Sequence, residues 1–311
     1  MFNTETSPLI SILVPLYNHE HYVEECLDSI LVQGNLRLEL LLIDDGSVDH
    51  GFEIASEWKK KHGDKFVNIF FEKQTNAGIV KTFDKLIRRS QGEFILILAS
   101  DDVLLEGAVS ARLKVFSDPQ VMAVFGDAIP IDSEGIPFGK SAISELGARS
   151  STAALADQRT LLGELIFRWN IYGSVLMSRR QALLNPDGTS VLNLSIYCED
   201  MQLYYKLASE QSLKFINVPV AKYRVHESSA SAVNNLKKIV ESSYRARLLA
   251  MHDIQGVYHF ILRMQAFTFH RWDSGLKRWL LLPLVATAYA GVGITRFTFD
   301  CYRKFFLKQR H

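Results

Sequence analysis

The sequence predicts an α/β protein: a mainly parallel sheet flanked by helices, followed by a C-terminal helical extension. Three observations carry this reading. Short, continuously apolar runs alternate with amphipathic stretches through the first hundred residues. Such runs are the mark of strands buried on both faces, and the stretches between them supply the covering helices. After Ser231 the chain becomes helical in pattern and more basic, and it ends in an apolar stretch.

The elements follow in order. "LISILVPLYN" is the first strand, and "HYVEECLDSILVQ" places Tyr22, Val23, Cys26, Leu27, Ile30 and Leu31 at helical spacing. "LELLLIDDGS" is the second strand, and Phe52, Ile54, Ala55 and Trp58 mark the helix after it. "KFVNIFFEK" is the third, with a helix through Ile79, Val80, Phe83 and Ile87. "GEFILILASDD" is the fourth. From Ala128 to Ser151 the chain loosens into Gly, Ser and Pro, which predicts a loop over the cleft. A helix is expected near 158–169, another opens on the acids of "CEDMQLYYKLAS", and "LKFINVPVAKYRVH" reads as a late strand pair.

Composition narrows the function. The 311 residues suffice for one large α/β domain with an appendage. Lys and Arg number 35 against 34 Asp and Glu, so no global basic field exists to hold nucleic acid, and an anionic ligand must be held locally. The three cysteines are an odd number without CxxC spacing, which supports neither a disulfide framework nor a zinc cluster. That usage, and an N-terminus without a signal-peptide pattern, predict a cytoplasmic protein; attachment to the inner face of the cell membrane is one of two readings of the C-terminal tail.

In a parallel sheet the ligand lies beyond the carboxyl ends of the strands. Those ends carry Tyr17-Asn18, Asp44-Asp45 and Asp101-Asp102, so three polar clusters should converge on one cleft. One acidic strand end is more often a turn or a cap than a site. Acids on neighbouring parallel strands suit a base N–H, or a hard cation such as Mg²⁺ or Mn²⁺ that shares its carboxylates with a diphosphate.

Four stretches in order, "SILVPLYNHEHYVEECLDSILVQ", "LELLLIDDGSVD", "NAGIVKTFDKLIRRSQGEFILILASDDVL" and "IYCEDMQLYYKLA…VPVAKYRVHESSAS", resemble the family 2 glycosyltransferases, inverting enzymes of the GT-A fold. The resemblance runs from about Ser11 to Ser231 and implies a domain over 1–231 that binds a nucleotide sugar, with 232–311 as the extension. It implies that Pro15, Tyr17 and Asn18 hold the nucleotide, that Asp45 accepts the N3–H of a uracil or thymine base, and that Asn76, Gly78 and Lys81 run beside it. UDP and dTDP donors are favoured, and guanine, which also has a ring N–H, stays open as an alternative. It places metal ligation on Asp102, a ribose or supporting contact on Asp101, and a metal or phosphate contact on His226. Ala99 stands where the family motif often has its first aspartate. Asp200 is implied as the general base of a single displacement, with Glu199 beside it and Trp169 offering a ring to the acceptor. Each has a bland reading: acids favour a helix N-terminus through its dipole, and aromatic rings are as often core. Arg224 either contacts phosphate or pairs with a neighbour.

The partners implied are a nucleotide-sugar donor and a glycan or lipid-linked glycan acceptor, with Mg²⁺ or Mn²⁺ as cofactor. The first strand lacks the G-x-G-x-x-G of a dinucleotide-binding enzyme. The alternative is a degenerate transferase that binds or assembles glycans without catalysis. Asp45, Asp102 and Asp200 together argue against such decay. The tail leaves two readings open. The uncharged stretch from Trp279 to Thr295, interrupted by Pro283 and flanked by Lys277, Arg278 and Arg296, suits an interfacial segment on anionic lipid. It equally suits a helix packed on the catalytic domain or a contact in a homo-oligomer.

Overall fold

A computed structural model describes residues 7–146, 149–169, 171–195, 199–227, 229 and 236–273. Helices and strands alternate through the first half as the apolar pattern requires. The order is β1 (Ile10–Leu16), α1 (Val23–Leu31), β2 (Leu38–Asp44), α2 (Gly51–His62), β3 (Asn68–Lys73), α3 (Ile79–Arg89) and β4 (Phe94–Ile97). Then come β5 (Val103–Leu104), α4 (Ala108–Leu113), β6 (Ala123–Ile131), α5 (Ala142–Glu145), α6 (Thr152–Ala156), α7 (Gln158–Phe167) and β7 (Leu176–Arg179). The described chain closes with α8 (Glu199–Ser209), β8 (Leu213–Arg224), α9 (Leu236–Ala250) and α10 (Gly256–Asp273).

One eight-stranded sheet runs β3-β2-β1-β4-β7-β6-β8-β5. β1 to β4 are parallel, and β6 runs parallel to β8. β7 is antiparallel to β4 and β6, and β5 is antiparallel to β8. Side chains alternate across a strand, so each central strand feeds two cores. Ile10, Ile12, Val14 and Leu16 of β1 face α1 and α2 through Val23, Leu27, Ile30, Ala55 and Trp58. Leu13 faces the opposite layer, with Phe83, Leu86 and Ile87 of α3. The helices are placed by charge as well as by pattern. Glu24 and Glu25 sit in the first turn of α1, and Lys59, Lys60, Lys61 and His62 in the last turn of α2, each sign where the helix dipole favours it. Asp157 caps α7 by accepting from the Arg159 N–H.

Two expectations change. Strand β6 continues through Ala128 to Ile131, so the loosened segment starts later and contains the short α5, with α6 directly after it. Its apolar Ala128 and Ile131 are buried, and burial overrides the neighbouring Pro130. The expected strand pair at 213–226 is one strand of twelve residues, β8. It spans the turn signal at Asn217-Val218-Pro219 because β6 pairs along most of its length, with a register shift near Asp127–Pro219 that absorbs the proline.

No helix among the described residues is long and apolar enough to cross a membrane. The stretch Trp279–Thr295 lies outside the described residues.

Leu13 is fully buried at the centre of the sheet. Leu13→Ala is expected to cost about 2–5 kcal/mol, the usual range for a buried leucine that leaves a cavity. Urea denaturation followed by circular dichroism measures it.

Candidate active site

The carboxyl ends of β1, β2, β4 and β8 meet in one region, and the loops that leave them carry the polar residues. The first loop crosses from β1 to α1. Asn18 holds a left-handed backbone, with φ of 54°, which asparagine tolerates. Its N–H donates to Ser47 Oγ at 2.9 Å, and its Oδ1 accepts from the Val48 N–H at 2.9 Å. Pro15 lies within β1, level with Ile43 of β2. Tyr17 is exposed beside them.

Asp45, at the end of β2, is buried and anchors a second loop. Its Oδ1 accepts from the Ala77 N–H at 2.7 Å and from Gln74 Nε2 at 2.9 Å, and its Oδ2 accepts from the Gly78 N–H at 2.9 Å. The 74–78 loop therefore hangs on this one carboxylate. A carboxylate offers about four lone-pair sites, so Asp45 keeps one acceptor position beyond these three bonds. Asn76 and Lys81 are exposed on the same loop and the first turn of α3. Gly46, with φ of 79°, lets the two loops touch: a Cβ there would stand 2.8 Å from the Asn76 nitrogen.

The two adjacent aspartates after β4 point to different partners. Asp102 is buried, its Oδ2 accepting from Ser174 Oγ at 2.5 Å and its Oδ1 from the Arg224 N–H at 2.9 Å. Burial first, and then the charge of Asp101, push its pKa well up. Asp101 behaves oppositely. Burial opposes its ionisation, but the hydrogen bond from His226 and the charges of His19 and His226 outweigh it and hold the carboxyl below its usual range. His226 Nε2 lies 2.9 Å from Asp101 Oδ2, and His19 Nε2 lies 3.8 Å from the same oxygen.

His19, Asp101 and His226 thus offer one ligand atom each, all within 4.8 Å of one another. Among the described residues they are the group with the donor types and spacing of a metal site. The two acids differ in their partners: Asp102 bonds to Ser174 and the β8 backbone, while Asp101 faces both imidazoles.

Arg224, the last residue of β8, explains how His226 reaches Asp101. Its Nε donates to the Asp101 carbonyl at 2.8 Å, and Nη1 donates to the carbonyls of Asp132 and Ser133 at 3.3 and 3.2 Å. Its Nη2 pairs with Glu25 of α1 at 2.5 Å. The pairing reading of Arg224 is the one its bonds support.

Asp200 opens α8. Burial raises its pKa to about 6, partly offset by hydrogen bonds from the backbone of Met201 and of Asp200 itself. Glu199 begins the same helix, but its side chain lies outside the described residues. Trp169 is partly buried and packs edge-on against Tyr204 and Tyr205 of α8, with ring centroids 5.4 and 5.6 Å away. Tyr172 stacks against Tyr223 of β8 at 4.1 Å. Both aromatic side chains contribute to packing between the α7–β7 segment and its neighbours.

Sequence reasoning missed His19, Ser100, Ser174 and Gln74. His19 directly follows the strand-end Asn18, so its place at a ligand-facing loop was the available signal. Ser174 had none, because its partner lies 72 residues away.

A family model, "Glycosyl transferase family 2", matches residues 11–175, more than half of the chain. The chain belongs to glycosyltransferase family 2. A glycosyltransferase of Haemophilus influenzae, itself uncharacterized, is 35% identical over 128 residues, which is 41% of this chain and 50% of that protein. The chain spans about half the length of that curated relative. Two solved structures share the fold. Staphylococcus aureus TarS (residues 1–349) in complex with UDP-GlcNAc matches with a TM-score of 0.61 at 17% identity, covering 91% of this chain and 80% of that one. The mannosyltransferase PcManGT of Pyrobaculum calidifontis, in complex with GDP-Man and Mn²⁺, also gives 0.61, at 18% identity over 98% and 81% of the two chains. The sheet and its helices are the GT-A fold, with α9 and α10 as a helical extension in this family 2 chain.

The Gly46 contact yields a paired prediction. Gly46→Ala combines a left-handed backbone with a Cβ clash against Asn76 and should cost about 1–3 kcal/mol. Gly78→Ala, with φ of 90° but open space around its Cβ, should cost less. Chemical denaturation of both variants tests the order.

Proposed function

We propose that this family 2 transferase moves a sugar, with inversion, from a UDP- or dTDP-sugar to a hydroxyl of a glycan or lipid-linked glycan. The observation that carries the reading is the convergence of Asp101 and His226 at the strand ends, beside the loop anchored by Asp45. A carboxylate beside an imidazole suits a divalent metal ion. When bound there, Mn²⁺ or Mg²⁺ supplies neutralisation of the leaving diphosphate.

The protein's own residues do the rest. The remaining acceptor position of Asp45 suits the N3–H of a uracil or thymine base, and Tyr17, Asn18, Asn76 and Lys81 line the loops around it. Gly78 keeps that loop's backbone close to Asp45. Asp101 would hold the metal with His226, and Asp102 fixes Ser174 and the end of β8. Asp200 takes the proton of the acceptor hydroxyl as its oxygen attacks the anomeric carbon. The bond to the diphosphate breaks on the opposite face. A single displacement needs one base and inverts the centre. A base poised about pH 6 suits that task near neutrality.

The test is a panel of nucleotide sugars with Mn²⁺ or Mg²⁺ and defined glycan acceptors, the product anomer being read by NMR. Turnover of a UDP- or dTDP-sugar with inversion supports the proposal. Retention, or no donor hydrolysis and no transfer with any donor, overturns it in favour of a non-catalytic glycan-binding protein.

Two variants sharpen it. Asp101→Asn should abolish Mn²⁺ binding measured by EPR, whereas Asp102→Asn, which leaves the Asp101–His226 pair in place, should retain it. Asp200→Asn should lower kcat by about 10²–10⁴ with donor affinity unchanged by calorimetry. Because Asp200 accepts a proton only as the carboxylate, kcat of the native protein should rise with pH through about 6 and level off above it.

A further inference from the structure

The position of Ala99 leaves the strand-end site one carboxylate short of the family motif that the chain resembles. A neighbouring loop brings an imidazole to the same place. His19 Nδ1 lies 2.8 Å from Ser100 Oγ. That contact orients the ring, and when Nδ1 carries the proton and donates it to the hydroxyl, the lone pair of Nε2 is turned toward Asp101. Metal-bound histidines are typically held this way through their second nitrogen.

The spacing around Asp101 is also informative. His19 Nε2 stands 3.8 Å from Asp101 Oδ2, too far for a hydrogen bond. The ligand atoms of His19, Asp101 and His226 all lie within 4.8 Å of one another, a spacing that one ion could bridge. The two imidazoles approach from different directions, their planes at 78° and their centroids 5.5 Å apart. Tyr22 packs against both rings, at 5.8 and 5.0 Å, and walls one side of the group. His19 is only 16% exposed, so its ring is a fixed part of the site rather than a surface side chain.

We propose that His19 is a third protein ligand to the metal, standing in for the missing carboxylate, and that the resulting two-histidine, one-aspartate set selects Mn²⁺ and softer divalent ions over Mg²⁺. The inference rests on the metal reading made above. Its physical basis is charge and softness. Replacing a carboxylate by an imidazole restores a donor but removes a negative charge. Mg²⁺ prefers oxygen ligands and gives up water reluctantly, whereas Mn²⁺, the weakest binder of the first-row series, accepts an imidazole more readily than Mg²⁺ and less readily than Co²⁺ or Zn²⁺. The second nitrogen therefore moves the preference along the transition series.

The experiment uses the full chain with Mn²⁺, with and without UDP. Electron spin-echo modulation of the bound Mn²⁺ should show two imidazole nitrogens in the native protein and one in His19→Gln. A single nitrogen in the native protein overturns the inference without any variant. EPR titration should show Mn²⁺ affinity weakened at least about tenfold in His19→Gln, with circular dichroism confirming the fold. Ser100→Ala, which keeps the imidazole but frees its ring, should weaken Mn²⁺ by a smaller factor. An unchanged affinity in His19→Gln overturns the assignment. His19→Asp should lower the ratio of Mn²⁺ to Mg²⁺ affinity, and an unchanged ratio overturns the selectivity. Asp101→Asn and His226→Gln separate the two levels. If both lose Mn²⁺ while His19→Gln does not, the inference alone fails. If neither loses it, the metal reading fails with it.

Discussion

The Arg224 guanidinium ties the strand-end site together. From a buried position at the end of β8 it reaches carbonyl oxygens after β4 and after β6 and the carboxylate of Glu25 on α1. Those segments come from both halves of the sheet. A buried cation is costly unless its donors are satisfied, so the geometry that satisfies Arg224 also fixes where the four segments stand. His226 is two residues further along the same chain. Its ring meets Asp101 because the arginine has already set the strand end against the 101–102 turn. The Arg224 N–H in turn donates to Asp102, so one residue positions both aspartates.

That arrangement resolves the problem posed by neighbouring carboxylates in a buried turn. Two anions side by side repel, and low local polarity strengthens the repulsion. The protein separates their states by giving them different surroundings. Asp102 meets a hydroxyl and a backbone N–H and its pKa is pushed up, while Asp101 meets two imidazoles and its pKa is held down. Asp102 braces Ser174 against β8. The two acids at the end of β2 also take different partners. Asp44 accepts from the Ser47 N–H and turns inward, and Asp45 holds the 74–78 loop.

Much of the architecture was legible in the sequence because its signals are local. The run from Ile10 to Leu16 is uniformly apolar and becomes a strand buried along its whole length. Val23, Cys26, Leu27 and Ile30 recur at helical spacing and become the buried face of α1. The helix expected near 158–169 forms at Gln158–Phe167, where Asp157 supplies the cap. Reading failed where a distant partner overrode a local signal, as at Pro130 and Pro219, which are turn formers carried inside paired strands.

The sequence by itself determined the α/β class, the positions of the acids at strand ends, and the convergence those ends imply. Periodicity and strand-end chemistry are properties of neighbouring residues, so a linear reading captures them. Only the tertiary structure decided which of the two adjacent aspartates faces the histidines and which faces Ser174 and β8. His19 meets Ser100 across 81 residues, and His226 meets Asp101 across 125. No spacing rule encodes such contacts. They exist because the parallel order of β1 and β4, and the return of β8 through the antiparallel half of the sheet, bring three loops together, where burial and neighbouring charge pull the two carboxyl pKa values apart.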